Sequence, residues 1–309
     1  MSPPHASPQF GQVITAMVTP FDDAGALHIQ GAIDLARWLA AHGSDGLVLS
    51  GSTGESSVLT DDEKAELWEA VAEAVTIPVI AGTGSNDTAH SVKMTSLAAT
   101  CGVDGILLVT PYYNRPSPAG IYEHFRTVSA AANGLPVILY DIPVRSGRRI
   151  GTPTILRLAR DVPNIVGLKD ALANPASTAH LAPQVPPGFE IYSGDDIMTL
   201  PLLAVGAVGV ISVASHWIGP QLGKVVQSFM DGDLAQAIAG HAELLDSFDF
   251  ESTEEYPNPL PAKAIMRALG LEVGECRLPM GRSTPELNAQ AAKILAAVGP
   301  PAATGPPLA

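Results

Sequence analysis

One lysine of this sequence lies in a setting that could give it chemistry of its own. Lys169 follows the apolar run 165–168, whereas the other five lysines fall on predicted helices or polar segments, where exposed ammonium groups are expected. Burial disfavours the ammonium and lowers its pKa, which leaves a neutral amine able to attack a carbonyl carbon. The alternative is a structural ion pair with Asp170 or another acid. The pattern favours the nucleophile.

A glycine-rich segment could bind an anionic group. Gly51-Ser52-Thr53-Gly54 follows a predicted strand and leads toward a helix, and its small residues would let backbone N–H groups approach a carboxylate. The same segment is equally typical of a plain turn between a strand and a helix. Ser52 and Thr53 are therefore candidate anion ligands, with the turn as the alternative.

Two tyrosines and one arginine lie at or just after the ends of other predicted strands. Tyr113 and Tyr140 could relay protons, because a phenol both donates and accepts hydrogen bonds. A lone tyrosine more commonly packs as an amphipathic residue at the edge of the fold, with its ring buried and its hydroxyl near water. Arg145 could hold a carboxylate through two parallel hydrogen bonds, or else be a solvated loop residue.

The sequence offers no conventional cofactor or metal motif. Gly82-Thr83-Gly84 lacks the third glycine of a dinucleotide fingerprint, and no Walker loop occurs. The eight histidines include no HExxH pair, and Cys101 and Cys276 have neither metal-ligand spacing nor a disulfide framework. We therefore expect a reaction without a cofactor or a metal ion, and we assign His216 a structural role.

Composition limits the partners. The 309 residues carry 17 basic and 31 acidic side chains, a net charge of -14, which argues against nucleic acids and anionic membrane surfaces. Residues 1–9 lack the apolar core of a signal peptide. The longest apolar stretch, 200–214, is shorter than the roughly 18 residues that a membrane span needs. We predict a soluble, cytoplasmic protein that binds neither nucleic acid nor membrane.

Alternating strands and helices must position these residues. Short apolar runs recur between turn residues, and their starts lie 20 to 34 residues apart. Most of these runs are nearly all apolar rather than alternating, which is typical of parallel strands covered on both faces. We predict such strands at 13–19, 47–50, 79–82, 106–110, 137–141, 165–169, 190–193 and 210–213.

Helices fill the intervals and the C-terminal part. Thr60-Asp61-Asp62-Glu63 is a capping box that opens a helix over 63–75. Only helices follow the last strand, at 221–230, 234–249, 262–269 and 285–298. Eight strand–helix units predict an α/β fold, a (β/α)8 TIM barrel with a C-terminal helical appendage; a doubly wound sheet is the alternative. The predicted divisions are a disordered tail 1–10, the barrel 11–230, helices 231–298 packed on the barrel, and a disordered tail 299–309.

Five segments at the predicted strand ends occur in an order that resembles a known family. They are Gly51-Ser52-Thr53-Gly54-Glu55, Pro111-Tyr112-Tyr113-Asn114, Tyr140-Asp141-Ile142-Pro143-Val144-Arg145-Ser146-Gly147, Gly167-Leu168-Lys169-Asp170 and Ser193-Gly194-Asp195-Asp196. From about Ile14 to Met280 the chain is similar to the dihydrodipicolinate synthase / N-acetylneuraminate lyase family of class I aldolases.

The resemblance implies how the substrate is held. Lys169 would form a Schiff base with the ketone of pyruvate, and the backbone amides of Ser52 and Thr53 would bind the pyruvate carboxylate. Gly194 and Ile211 would complete the substrate-binding site. The Schiff base makes the pyruvate methyl group acidic, because the iminium nitrogen accepts the electrons that are released, and the resulting enamine adds to an aldehyde.

The resemblance also implies a proton relay shared between subunits. Tyr140 would be the proton shuttle, linked through the Thr53 hydroxyl to Tyr113. In this family the last tyrosine reaches in from a neighbouring subunit, so a homotetramer built as a dimer of dimers is implied.

Arg145 decides which aldehyde the resemblance favours. It matches the arginine with which the synthase branch binds the carboxylate of L-aspartate-4-semialdehyde. This implies condensation to 4-hydroxy-tetrahydrodipicolinate, a step of lysine and diaminopimelate biosynthesis. One alternative is a related pyruvate lyase, such as N-acetylneuraminate lyase or a 2-keto-3-deoxy-sugar-acid aldolase, since Ser52 followed by Thr53 is common there. A more distant alternative is a non-catalytic barrel that binds a keto acid.

Feedback inhibition by lysine is predicted to be weak or absent. Members that lysine inhibits often carry histidines or a glutamate where this chain has Asp61, Lys64 and His90. A Lys64 ammonium would repel a lysine ligand. Other positions of that site are matched by Ser56, Asn86 and Tyr112.

Overall fold

The computed structural model describes residues 8–304, and its eight strands form a closed parallel barrel. The strands are β1 (Val13–Ala16), β2 (Gly46–Leu49), β3 (Val79–Gly82), β4 (Gly105–Val109), β5 (Val137–Asp141), β6 (Ile165–Asp170), β7 (Glu190–Ser193) and β8 (Gly209–Ser212). Each strand pairs with the next, and β8 closes onto β1 with Val210 opposite Val13. The predicted (β/α)8 barrel is confirmed.

Helices connect the strands and continue after the last one. They are α1 (Ile29–Ala41), α2 (Asp61–Ala74), α3 (Thr88–Ala98), α4 (Pro118–Ala130), α5 (Pro143–Ser146), α6 (Thr152–Asp161), α7 (Pro175–Leu181), α8 (Thr199–Leu203), α9 (Ser215–Met230), α10 (Leu234–Glu243), α11 (Leu245–Phe250), α12 (Leu260–Ala268) and α13 (Pro285–Val298). The capping box that opens α2 is present, with the Glu63 N–H donating to the Thr60 hydroxyl over 3.2 Å. None of the helices within residues 8–304 is long and apolar enough to cross a membrane.

The core has two layers, because successive side chains of a strand point to opposite sides of the sheet. Val13 packs in the layer between the strands and the helices, whereas Ile14 packs inside the barrel. Phe10 lies inside at the start of the barrel, so close to Gly105 that a Cβ there would come within 2.6 Å of its ring. Side chains therefore fill the end of the barrel at which the strands begin.

The structure corrects some predicted boundaries. Strand β1 ends at Ala16 rather than at residue 19, and the helix predicted over 234–249 is broken at Leu244, which separates α10 from α11. The tails predicted at 1–10 and 299–309 lie partly outside the described residues, which exclude 1–7 and 305–309. Phe10 belongs to the barrel core and not to a tail, because its ring fills the barrel interior.

Candidate active site

A cavity of about 490 Å³ opens where the strands of the barrel end. Its wall includes Ser52 after β2, Tyr140 on β5, Arg145 on α5 and Asn258 from the segment before α12. Three of these four were predicted as site residues. The location agrees with the rule that barrel active sites form at the carboxyl ends of the strands.

Lys169 lies beside this cavity on β6. Its side chain is buried, with 5% of the residue exposed, and its Nζ lies 4.5 Å from the ring centroid of Tyr140. No carboxylate within residues 8–304 forms an ion pair with it. Asp170, the alternative partner, instead accepts hydrogen bonds from the Thr178 hydroxyl (2.6 Å) and the Leu172 N–H (3.0 Å).

The surroundings of Lys169 leave part of the amine neutral. Burial lowers the pKa of Lys169 to about 8, although the nearby carboxyl groups of Asp196 and Glu251 act in the opposite direction. Asp196 is itself held by the N–H groups of Val213 (2.8 Å) and Ala214 (3.3 Å). Burial, together with the neighbouring Asp196, raises the pKa of Glu251 well above its usual range. A lysine with a pKa near 8 is about one-tenth neutral at pH 7.

Gly194 lies directly after β7, and Ile211 lies on β8. A Cβ at Gly194 would come within 2.9 Å of the Lys169 Cγ and 3.1 Å of its Cε, so this glycine leaves room for the lysine side chain. Ile211, on β8, is buried in the layer of side chains inside the barrel. Gly194 therefore contacts the candidate nucleophile, whereas Ile211 contributes to the barrel interior beneath the cavity.

The segment after β2 presents free backbone donors. Within the described chain, neither the Ser52 N–H nor the Thr53 N–H is engaged in a hydrogen bond. The turn is tight: Ser50 and Glu55 have φ of 49° and 53°, and a Cβ at Gly54 would come within 3.0 Å of the Ser50 nitrogen. Successive N–H groups held in such a turn form a concave site for an anion. The two N–H groups are free to bind an anion, and the carboxylate cradle stays a prediction.

The two predicted relay tyrosines have very different settings. Burial raises the pKa of Tyr140 to about 12, against the opposing effects of Arg145 and Ser52, so its phenol is protonated at neutral pH. Tyr113 is 90% exposed and does not contribute to the wall of the cavity. Within one chain the structure therefore does not bring Tyr113 to Thr53.

Asn258 joins two predicted site residues and was not itself predicted. Its Nδ2 donates to the Thr53 hydroxyl over 2.9 Å, and its backbone carbonyl accepts from Arg145 Nη2 over 3.4 Å. No local pattern indicates this role, because the contacts of Asn258 are made with residues far away along the chain.

Two other lysines contradict the expectation that all five are exposed. Lys263 on α12 has no exposed surface, because its Nζ lies 2.8 Å from Glu55 Oε1 and also donates to the Glu275 carbonyl over 3.0 Å. Lys64 on α2 is only 9% exposed, and burial lowers its pKa. Tertiary packing across distant segments buries both side chains, and no local pattern indicates it.

The residues of the predicted lysine-inhibition site lie together in the same cavity wall. Asp61 pairs with His90 over 2.9 Å and with Lys93 over 2.8 Å. These two contacts lower the pKa of Asp61 to about 2. Other members of this part of the wall are Ser56, Lys64, Asn86 and Tyr112. The weak or absent inhibition stays a prediction.

His216 has the structural setting that was predicted for it. It is fully buried, its Nε2 accepts from the Val18 N–H over 3.1 Å, and its Nδ1 lies 2.8 Å from the Val213 carbonyl. Burial lowers its pKa to about 4. Both ring nitrogens therefore form hydrogen bonds with backbone groups.

Comparison with known proteins gives one consistent result. The sequence model of the Dihydrodipicolinate synthetase family matches residues 9–298. The 4-hydroxy-tetrahydrodipicolinate synthase of Symbiobacterium thermophilum is 48% identical, over 94% of this chain and 99% of its own. The synthase of Thermosynechococcus vestitus is 45% identical, over 94% and 98%.

Solved structures agree with the sequence comparisons. A dihydrodipicolinate synthase from Bacillus anthracis superposes with a TM-score of 0.89 at 39% identity, covering 94% of this chain and 98% of that one. The enzyme from Cyanidioschyzon merolae, solved with lysine bound, has a TM-score of 0.90 at 43% identity, covering 93% and 98%.

Proposed function

The chain belongs to the dihydrodipicolinate synthetase family, and we propose that it condenses pyruvate with L-aspartate-4-semialdehyde to give 4-hydroxy-tetrahydrodipicolinate through a Schiff base on Lys169. It is accordingly an enzyme, a lyase of the class I aldolase type. The observation that carries the role of Lys169 is its burial next to Tyr140 without an ion-pair partner in residues 8–304. We propose that this covalent amine chemistry needs no cofactor.

Binding of pyruvate would place its ketone at Lys169. The free N–H groups of Ser52 and Thr53 would hold the carboxylate. The neutral Lys169 amine would then attack the ketone carbon to give a carbinolamine, and loss of water would give the protonated Schiff base. The Tyr140 phenol would donate a proton to the departing oxygen. It would then receive a replacement proton through the relay of Thr53 and Tyr113, since a phenol both donates and accepts.

Carbon–carbon bond formation would follow from the acidity of the Schiff base. Loss of a methyl proton gives an enamine, whose carbon attacks the aldehyde carbon, and the aldehyde oxygen takes up a proton from the relay. The amino group of the aldehyde substrate then displaces Lys169 from the imine carbon, which closes the ring and frees the enzyme. Arg145, on the cavity wall, would hold the carboxylate of the aldehyde substrate.

The subunit arrangement and the location are further parts of the proposal. We propose a homotetramer of two dimers in which Tyr113 of one subunit completes the relay of its neighbour; its exposed ring supports this. We also propose a cytoplasmic location, supported by Cys101 and Cys276, which are both unpaired thiols, as expected in a reducing compartment.

Borohydride trapping tests the Schiff base. Reduction in the presence of pyruvate should add a covalent mass to the peptide that contains Lys169, and Lys169→Ala should abolish both the adduct and the activity. Lys224→Ala, on an exposed site of α9, is the matched control and should be trapped like the wild type. A wild-type enzyme that gives no adduct overturns the mechanism.

A substrate panel tests the aldehyde. Aspartate semialdehyde, N-acetylneuraminate and keto-deoxy sugar acids are compared in the wild type and in Arg145→Ala. We expect activity with the semialdehyde alone, and a rise in its KM in the variant, because a bidentate carboxylate contact is lost. Full activity of Arg145→Ala on the best substrate contradicts the assignment.

A further inference from the structure

The Thr53 hydroxyl is central to the proposed relay. Its neighbours determine the direction in which it donates its proton. A hydroxyl has one proton to donate and two lone pairs to accept with. Thr53 is buried, and within residues 8–304 its hydroxyl has one hydrogen-bond partner, the Nδ2 of Asn258, at 2.9 Å. An amide N–H₂ group can only donate. The contact therefore uses a lone pair of Thr53 and leaves its proton free.

Asn258 is held in place by its own backbone. Its N–H donates to the Ser252 hydroxyl over 3.2 Å, and its carbonyl accepts from Arg145 Nη2 over 3.4 Å. The residue is 7% exposed and forms part of the cavity wall. Its side-chain Oδ1 has no hydrogen-bond partner in the described chain. The contact with Thr53 is thus the single hydrogen bond made by this side chain within the described residues.

We propose that Asn258 is a positioning residue that fixes the Thr53 hydroxyl as a proton donor in the relay. Because the Asn258 Nδ2 occupies one lone pair of the Thr53 hydroxyl, the hydroxyl keeps its proton for transfer toward the Tyr140 phenol. Its second lone pair can accept a replacement proton. The backbone carbonyl of the same residue supports Arg145, so Asn258 couples the relay to the group that would hold the aldehyde substrate. This inference rests on the proposed function.

Asn258→Asp tests the polarity of the contact. An ionised carboxylate can only accept, so it would take the Thr53 proton and reverse the hydrogen bond. We expect kcat to fall about 100-fold at pH 8, a loss typical of a disabled proton-transfer group, with little change in the KM for pyruvate. The ratio of variant to wild-type kcat should recover as the pH falls, because a protonated carboxyl group again offers an O–H donor. A ratio that is constant between pH 5 and 9 overturns the inference.

Two further variants separate polarity from structural damage. Asn258→Ala removes the donor without adding an acceptor, and we expect kcat to fall about tenfold, as for the loss of one hydrogen bond, without recovery at low pH. Asn164→Asp is the matched control. Asn164 Nδ2 donates to the Ser129 carbonyl (2.9 Å) and the Leu135 carbonyl (3.2 Å) away from the cavity, so this variant should lower the Tm and keep the wild-type pH profile.

The experiment also separates this inference from the proposed function. A wild-type enzyme that is trapped by borohydride with pyruvate and forms product retains the proposed function whatever the Asn258 variants do. If Asn258→Asp does not fold, Asn258→Ala decides, and an unchanged kcat in that variant overturns the role of Asn258. A wild-type enzyme that is not trapped removes both conclusions.

Discussion

Lys169 and Lys263 are both buried, and the difference between their surroundings supports the proposed role of Lys169 as the nucleophile. Lys263 Nζ has the Glu55 carboxylate at 2.8 Å and the Glu275 carbonyl at 3.0 Å. Its ammonium is therefore held by an opposite charge and by a hydrogen-bond acceptor. Lys169 lies against an aromatic ring instead, without an ion-pair partner in residues 8–304. An ammonium group that is buried without an ion-pair partner loses its proton most readily, because burial destabilises the charged form and no opposite charge offsets it.

The lowered pKa of Lys169 predicts a pH dependence. Below a pKa of about 8, kcat/KM for pyruvate should rise about tenfold per pH unit, and it should level off above it, because this parameter follows the free enzyme and the amine must be neutral to attack. Initial rates between pH 6 and 10 measure it, with Lys224→Ala as a control that keeps the profile. A midpoint near 10.4, the value of an unperturbed lysine, contradicts the expectation.

Lys64 predicts that L-lysine inhibits this enzyme weakly or not at all. Its ammonium is buried in the cavity wall that also contains His90 and Asp61, and Asp61 is already paired with Lys93. A second ammonium entering here would meet a like charge without a free carboxylate at Asp61. Titrating L-lysine into the assay should leave the rate unchanged up to millimolar concentrations, and Lys64→Met should be the more sensitive protein. An inhibition constant in the micromolar range for the wild type contradicts this.

At the scale of elements, the buried pair Glu55–Lys263 connects the turn after β2 to helix α12. Lys263→Met leaves the Glu55 carboxylate buried with the Arg277 N–H (2.9 Å) as its remaining donor. We expect a loss of about 3–5 kcal/mol in the free energy of unfolding, because a buried charge loses its partner.

Urea unfolding measures this loss. The double variant Glu55→Gln, Lys263→Met should lose less than the two single variants together, since their interaction is counted twice in the sum. Arg126→Ala, which removes an exposed pair with Glu123, is the control and should change the free energy by about 1 kcal/mol or less. Strict additivity at Glu55 and Lys263 contradicts the coupling.

Asp141, at the end of β5, predicts how stability varies with pH. Its carboxyl group is buried, and burial, with Asp170 nearby and against the opposing effect of the Ile150 N–H, raises its pKa to about 7. The folded state therefore favours the protonated form, and stability falls as the pH rises from about 4 to about 7, by about 1.4 kcal/mol per unit of difference in pKa. Asp141→Asn should match the wild-type Tm near pH 4 and exceed it at pH 8. Equal melting temperatures at pH 8 contradict this.

The local hydrophobic pattern of the sequence predicted the strands of the barrel well, but it did not predict the long-range contacts. Strands β3, β5 and β7 have the predicted bounds, because parallel strands buried on both faces are mostly apolar and turn residues mark their ends. The break at Leu244 was missed because apolar residues continue across it. The burial of Lys263 and the contact of Asn258 with Thr53 were missed for a different reason: each depends on a partner far away in the sequence, which periodicity does not report.

At the scale of the whole molecule, the exposed ring of Tyr113 supports the proposal that a second subunit completes the site. Its backbone has φ of 70°, a conformation that costs a bulky residue roughly 1–3 kcal/mol, and its N–H donates to the Ser146 carbonyl over 3.3 Å. The strained backbone thus presents an aromatic ring that is 90% exposed. Val144 and Leu278 are also large exposed apolar residues. A second copy of the chain would cover such a ring and bring a phenol to the relay.

Mixing two inactive variants tests whether Tyr113 acts between subunits. Tyr113→Phe keeps Lys169 but supplies no phenol, and Lys169→Ala keeps the phenol but has no nucleophile. In a hybrid dimer, the site of the first chain receives Tyr113 from the second and has its own Lys169, so activity should return to about half of the wild-type value per hybrid, because one of its two sites is complete. Activity is measured after the subunits are dissociated and reassociated together, and each variant treated alone is the control. If Tyr113 instead acted within its own chain, both sites of the hybrid would lack a required group and the mixture would stay inactive.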